Sequence, residues 1–354
     1  MEQLKSRRIM MTFAGSFLGA GYVSGQELWQ FFGSFGAWGW VGLALTMAAL
    51  GLLGGVTLLL ARRSETVELD RLMIPWERPW LRRLVSVLEL FLLFSVVSIM
   101  LAGGGALLEQ LFGLPHALAG AAMCVVLSLI AARGVGGMVK LFSLSVPVLI
   151  VSTALFGIVA VCRFGLQPAP TAATNPLVPN WLIGFVTFTS YNLFGSVGII
   201  APLGPLAASE REARRGVAFG AIGLLLIAAS VLGGLSACPE ALASELPMLA
   251  LAGRISRWGS YGYGVLLLMA MLGTSVSSAV AILTYGEEKL PRLASRRRIT
   301  VPLLGAAGYL CSLVGFGDLI SMLYPLFGYG SAVFVVCLVI HFFQTKHSKT
   351  GAAQ

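Results

Sequence analysis

The chain has 354 residues, 57% hydrophobic and only 11% charged, where a soluble domain carries about 25% charged residues. Its mean hydropathy is +0.87 and its formal net charge +9. These values exclude a soluble globular protein and predict an all-α polytopic membrane protein, held in the lipid bilayer over most of its length.

Ten spans are predicted, at 9–33, 38–61, 83–110, 115–132, 139–161, 180–205, 216–237, 260–286, 300–316 and 319–343. Most are near the ~20 residues that cross a bilayer, and the longer ones tilt or project from it. The first span holds Gly15, Gly19, Gly21 and Gly25 and runs at once into Gln26 and Glu27. Glycine weakens a helix by about 1 kcal/mol relative to alanine. A membrane helix that breaks must bury its freed amides and carbonyls in protein or direct them at a ligand. Small residues at i and i+4 also let two helices approach closely. That accounts for Gly15 with Gly19 and for Gly21 with Gly25, but not for an amide and an acid in the next turn. The span is therefore read as a helix broken near mid-bilayer, and as too long for a cleaved leader.

With the N-terminus inside, Lys5, Arg7, Arg8, Arg62, Arg63, Arg71, Arg78, Arg82, Arg83, Arg133, Lys140, Arg211, Arg214 and Arg215 fall on the cytoplasmic side. So do Lys289, Arg292, Arg296, Arg297, Arg298, Lys346 and Lys349. Of the 24 basic residues, only Arg163, Arg254 and Arg257 fall outside. This positive-inside bias predicts cytoplasmic N- and C-termini in a bacterial-type inner (plasma) membrane. The same loops face anionic lipid, so the net charge calls for no nucleic acid.

Intramembrane acids are costly and usually face a cavity or a partner. Glu27, just past the first break, is expected in the permeation path. Glu89, near the start of span three, reads more simply as a snorkelling side chain. The cysteines Cys124, Cys162, Cys238, Cys311 and Cys337 form no CxxC and read as packing residues, with Cys162 and Cys238 able to pair at the outer ends of their spans. An outer loop over 163–180 carries Pro168, Pro170, Pro176 and Pro179.

Span six contains Thr187, Thr189, Ser190, Tyr191, Asn192, Gly195, Ser196 and Gly198, then Pro202 and Pro205. Alone, it reads as a proline-kinked helix with packing hydroxyls. It also occupies the position in the second half that span one occupies in the first, with the opposite direction. Five spans plus five, each set opening on an interrupted helix, form an inverted repeat: about 9–161 and about 180–343, one transmembrane domain over 1–354. A solute site is then expected between the two breaks. The segment 240–258 holds Glu240, Glu245, Pro247, Arg254 and Arg257 around a short apolar stretch and reads as an external re-entrant or lid-like element. Span eight carries Thr274, Ser275, Ser277 and Ser278, oxygen donors of the kind that hard cations take. In span ten, Ser321, Tyr324, Pro325, Tyr329 and Ser331 are gate or lining candidates. The tail 344–354 is expected to be disordered. The chain has three histidines, no HExxH and no GxxxxGK[ST], so neither an enzyme nor an ATP-driven pump is indicated.

The run Gly15-Ser16-Phe17-Leu18-Gly19-Ala20-Gly21 resembles the first-helix signature of the amino acid–polyamine–organocation superfamily. Its continuation, Tyr22-Val23-Ser24-Gly25-Gln26-Glu27-Leu28-Trp29-Gln30-Phe31-Phe32, is similar to the YkvI family of bacterial membrane proteins. The resemblance implies the LeuT-like fold, with discontinuous helices one and six. It implies that backbone at Gly19, Ala20 and Gly21 holds a substrate carboxylate, with Tyr22 and Glu27 beside it. Tyr191, Asn192, Leu193 and Phe194 would hold the rest of the solute. In sodium-coupled relatives the cation site would map to Gly15 and Leu18 together with Thr274 and Ser275, or Ser277 and Ser278. Gln26-Glu27 departs from the superfamily signature, and suits a cationic ligand or a proton. The expectation is a secondary active transporter of a small amino acid or related solute, coupled to Na⁺ or H⁺, with no other cofactor. A sensor subunit that needs partners and a passive channel are the alternatives.

Overall fold

The computed structural model describes residues 4–64, 66–133, 138–167, 175–289 and 297–351. Pro168, Pro170, Arg292 and Arg296 lie outside the described residues, as do the side chains of Arg133, Lys140, Lys346 and Lys349. The first span is three helices: α1 (Ser6–Phe17), α2 (Ala20–Ser24) and α3 (Gln26–Phe31). A 3-10 turn at Gly33–Phe35 leads into α4 (Gly36–Ser64), a short α5 (Leu69–Met73) and α6 (Pro79–Phe112). Then come α7 (His116–Arg133), α8 (Met138–Phe164), α9 (Trp181–Ile200), α10 (Leu203–Leu206) and α11 (Glu210–Ala237). The chain continues through α12 (Pro247–Ile255), α13 (Arg257–Lys289), α14 (Arg297–Ser312) and α15 (Phe316–Gly351). Each predicted span coincides with one of these helices or, for the first and sixth, with a broken series of them. Among the described residues, seven helices are long and apolar enough to cross a membrane.

The first break falls where the glycines predicted it. Leu18 (φ −84°, ψ 68°) and Gly19 (φ −77°, ψ 168°) leave helical geometry, and the chain turns again at Gly25 with φ +83°. A left-handed residue costs an L side chain roughly 1–2 kcal/mol. At Gly25 a Cβ would also meet Leu235 Cδ1 at 2.8 Å and Met248 Cγ at 3.0 Å.

The sixth span corrects the expectation. Helix α9 runs unbroken through Tyr191, Asn192, Leu193 and Phe194, and the interruption comes only at Ala201 and Pro202, before α10. Three of its polar side chains bond back to their own helix, while Tyr191 and Ser196 reach span one and the buried Thr189 hydroxyl has no hydrogen-bond partner among the described residues. Thr187 donates to the Ile183 carbonyl at 2.6 Å, Ser190 to Val186 at 2.7 Å and Asn192 to Phe188 at 3.1 Å. Proline supplies no N–H to the ladder, so the helix is interrupted at Pro202.

Three further expectations meet the structure. Residues 344–351, expected as a disordered tail, continue α15. Cys162 and Cys238 are unpaired. The 240–258 segment is indeed no span, but its α12 buries Pro247, Met248, Leu249, Leu251 and Ala252 against α13, α8 and α11, so it is packed into the molecule and not laid over it.

Packing follows the charge map. At one end, the Ser6 amide donates to Glu212 at 2.7 Å, Arg63 pairs with Glu210 at 3.1 Å, and Arg62 donates to the carbonyls of Gly204 and Ala207. At the opposite end, Arg254 pairs with Glu240, and Arg163 donates to the Ile255 carbonyl at 3.4 Å. Residues that the positive-inside rule assigns to one side meet each other, and the three exceptions belong to the other end. Between the ends, α1 packs on α11 and α9, α15 on α9, and α6 on α13 and α7.

Candidate functional site

Breaking the first span frees polar backbone, and neighbouring helices take it up. Ser196 of α9 donates to the Ser16 carbonyl at 3.2 Å, and the Gly19 amide bonds back to Phe17 at 2.9 Å. Tyr263 of α13 donates to the Val23 carbonyl at 2.6 Å and lies 2.9 Å from the Thr153 hydroxyl of α8. The start of α2 carries no side-chain cap, so its first amides are the backbone donors on offer here.

Seven residues after that start, Glu27 points back into the molecule and is only 5% exposed. The Tyr191 hydroxyl donates to its Oε1. Its Oε2 occupies the space a side chain at Gly21 would need, 2.6 Å from where a Cβ would sit. Tyr191 stacks on Tyr324 of α15, ring centroids 4.7 Å apart at 17°. Phe31 and Phe188 close around the same ring at 5.8 and 5.5 Å. Glu27, Gly21 and Tyr191 are therefore brought together as expected, and Tyr324 joins them from span ten. Asn192 adjoins the same acid and phenol.

Other expected residues do not join them. Tyr22 turns away to donate to the Leu224 carbonyl at 2.8 Å, with Met47 sulfur at 4.0 Å, because its hydroxyl needs a buried acceptor. Leu193 is fully buried in the core and Phe194 packs on Phe334, centroids 6.0 Å apart, so both serve packing. In span eight, Ser275 and Ser278 are buried three residues apart on one face, and Ser275 donates to the Leu272 carbonyl at 3.0 Å. Thr274 is half-buried, while Ser277 and Gly15 are exposed. Ser277 therefore cannot share a site with Ser275. Leu18 is buried at the break.

Beyond Glu27, toward the end that carries Arg254, lies a vestibule of about 480 Å³ lined by Gln26, Gln30, Glu245 and Asp318 among others. Its floor is tied. The Gly317 amide donates to Glu245 at 2.7 Å, Gln30 donates to the Gly317 carbonyl at 3.1 Å, and Asn175 donates to the Ser321 carbonyl at 2.7 Å. Tyr329 donates to the Leu177 carbonyl at 2.8 Å. A second cavity of about 340 Å³ lies between α6 and α13, lined by Glu89, Leu93, Thr284 and Tyr285 among others. Glu89 thus faces a cavity rather than simply snorkelling. Around the break the backbone is less crowded: a Cβ at Gly15, Gly19 or Gly198 would meet nothing within 4 Å.

Sequence reasoning missed Tyr263 with Thr153, and Gln30 with Glu245. A lone tyrosine near a span end carries no periodic signal. Its role depends on the carbonyl that the distant break frees.

The broken first span, with neighbouring helices taking up its carbonyls, sits in a helical fold of the LeuT type, as superposition on known structures shows. The chain superposes on the inward-facing conformation of Mhp1 with a TM-score of 0.65 at 13% identity, covering 94% of this chain and 76% of that one. On MhsT in complex with L-phenylalanine it scores 0.60 at 15% identity, covering 97% and 89%. On a single-residue mutant of the Eremococcus coleocola manganese transporter it scores 0.53 at 15%, covering 94% and 78%. Within that fold the chain is YkvI-like. It is 28% identical to the uncharacterized membrane protein YkvI of Bacillus subtilis over 96% of this chain and 97% of the relative. It is also 26% identical to the uncharacterized protein YyaD of the same organism, over 94% and 95%. No protein-family model matches the chain.

Proposed function

We propose that the chain is a secondary active transporter of a small amino acid or related organic solute, driven by a cation gradient through alternating access. Its ten crossings would form two inverted sets of five, with the amino-terminal end inside. The observation that carries this reading is the break at Leu18–Gly19, with an uncapped α2 start and a buried acid–tyrosine pair beside it. The positive end of a half-helix suits a carboxylate, and a broken helix at mid-depth is where such proteins bind solute. MhsT, which shares the fold, was solved with L-phenylalanine bound. A manganese transporter shares it too, so the fold alone does not choose the solute. Hydrogen bonds that tie the Glu245–Gly317 end, against open backbone at Gly15 and Gly19, suit a carrier opened to one side better than a passive channel.

The test is thermal stability of the purified protein in detergent, screened against amino acids in NaCl and in KCl at several pH values. A solute that binds only the folded state raises the melting temperature. One amino acid class is expected to raise it, with dependence on the coupling cation. No shift from any amino acid, with the protein folded, overturns the reading.

A further inference from the structure

Glu27 is a carboxyl group without a countercharge. It is 5% exposed, and among the described residues no lysine, arginine or histidine comes within ion-pair distance of it. The titratable side chains around it are Tyr191 of α9, which donates to it, Tyr324 of α15, stacked on Tyr191, and Tyr22 of α2, whose hydroxyl is turned away to the Leu224 carbonyl. All three are phenols, which stay neutral at physiological pH. Helix α11 also packs on α3, but its charged residues Glu210, Arg211, Glu212, Arg214 and Arg215 cluster at the basic end. Glu245 and Asp318 stand apart, in the vestibule beside Gln26 and Gln30. A buried acid in this position is neutralised by a bound cation or by a proton.

The geometry decides between them. A substrate ammonium or a metal ion needs room and several oxygen donors. One Glu27 oxygen is taken by the Tyr191 hydroxyl, and the other lies against the backbone of Gly21, where not even a methyl group would fit. Neither of the two cavities described above is lined by Glu27. In span eight, Ser275 and Ser278 are buried on one face, but Ser277 is exposed and Glu27 belongs to a different helix, so the acid is not part of that oxygen set. A proton needs no room and only one oxygen.

We propose that Glu27 is the coupling-ion site and that the ion is a proton. The carboxylate takes a proton from water admitted from the vestibule side, forming one O–H bond. After the opposite side opens, that bond breaks and the proton passes to water there, restoring the carboxylate. Tyr191 keeps its own proton throughout and donates to Glu27 in the ionised state. Calling this proton a coupling ion rests on the transporter reading; its exchange at Glu27 does not.

The test needs no solute. Infrared difference spectra of the protein in liposomes are recorded as pH is stepped, for wild type, Glu27→Gln and Tyr191→Phe. The wild type is expected to show a carboxyl C=O band that exchanges with carboxylate bands and is lost in E27Q. In Y191F a band still titrates, at a changed frequency, because its hydrogen-bond donor is gone. Wild-type and E27Q spectra that titrate identically overturn the proposal. Should E27Q fail to fold, Y191F decides: a titrating spectrum identical to wild type overturns it. An empty amino acid screen with this band present would instead sink the transporter reading and leave the proton site standing.

Discussion

Spans one and six are both rich in glycine and polar residues, yet one breaks at the centre and the other does not. In span six Thr187, Ser190 and Asn192 each use the carbonyl one turn back, so the backbone ladder is kept while Tyr191 and Ser196 reach across to span one. Gly184 serves close packing, since a Cβ there would lie 2.5 Å from the Phe31 carbonyl. In span one Ser16 and Ser24 bond within their own helices, but the carbonyls of Ser16 and Val23 and the acid Glu27 are met from outside. Ser196 reaches in to Ser16, Tyr263 to Val23 and Tyr191 to Glu27. Polar residues that can satisfy themselves preserve a membrane helix. Glycines flanked by donors from other helices allow it to open.

The sharpest way to break that contrast is at Gly25. Gly25→Val places a β-branched side chain at φ +83° and against Leu235 and Met248. Left-handed strain and overpacking together cost roughly 3 kcal/mol or more. The expected result is a large fall in folded yield and melting temperature. A valine variant as stable as wild type would mean that the second turn of the break is not fixed by this residue.

Gly21→Ala comes next. Its methyl group must displace Glu27 Oε2, which is held through the other oxygen by Tyr191. The expected cost is about 1–2 kcal/mol, read as a lower melting temperature, together with a changed Glu27 infrared band. Gly198→Ala in span six is the matched control. A Cβ there meets nothing within 4 Å, so alanine is neutral or stabilises by up to about 1 kcal/mol through helix propensity. Equal losses at both positions would erase the distinction between the spans.

How much of this was legible in the sequence follows the same division. Span positions, the basic end and the first break could be read because they rest on composition, charge and glycine spacing, all local signals. Glu27 stood out because an acid inside a span is costly wherever it points. The continuous α9 could not be read, since clustered hydroxyls look alike whether they bond back to their own helix or face a ligand. Tyr22, Leu193 and Phe194 were drawn into the site by position beside the break. Their directions, toward Leu224 for Tyr22 and toward Phe334 for Phe194, depend on helices more than a hundred residues away.

Tyr263→Phe tests the outside support of span one directly. It removes the donor to the buried Val23 carbonyl, while Thr153 keeps its bond to the Leu149 carbonyl. An unmet buried polar group costs about 1–3 kcal/mol, so thermal unfolding in detergent should register a loss near the lower half of that range. A silent variant would mean that α2 holds its shape without α13.

The smallest expected effect is Ser190→Ala, and it is informative because it is small. Ser190 donates at 2.7 Å to the Val186 carbonyl, four residues back. That carbonyl already sits in a helical ladder, so removing the hydroxyl orphans nothing. Even hydrogen bonds between membrane helices average only about 0.6 kcal/mol, and one to an already-bonded carbonyl of the same helix is expected to be no larger. The melting temperature should therefore move less than in Tyr263→Phe, by a factor of two or so in free energy. A loss equal to that of Tyr263→Phe would show Ser190 bonded to something besides its own helix, and the self-satisfied account of span six would fail at the turn where it meets Tyr191.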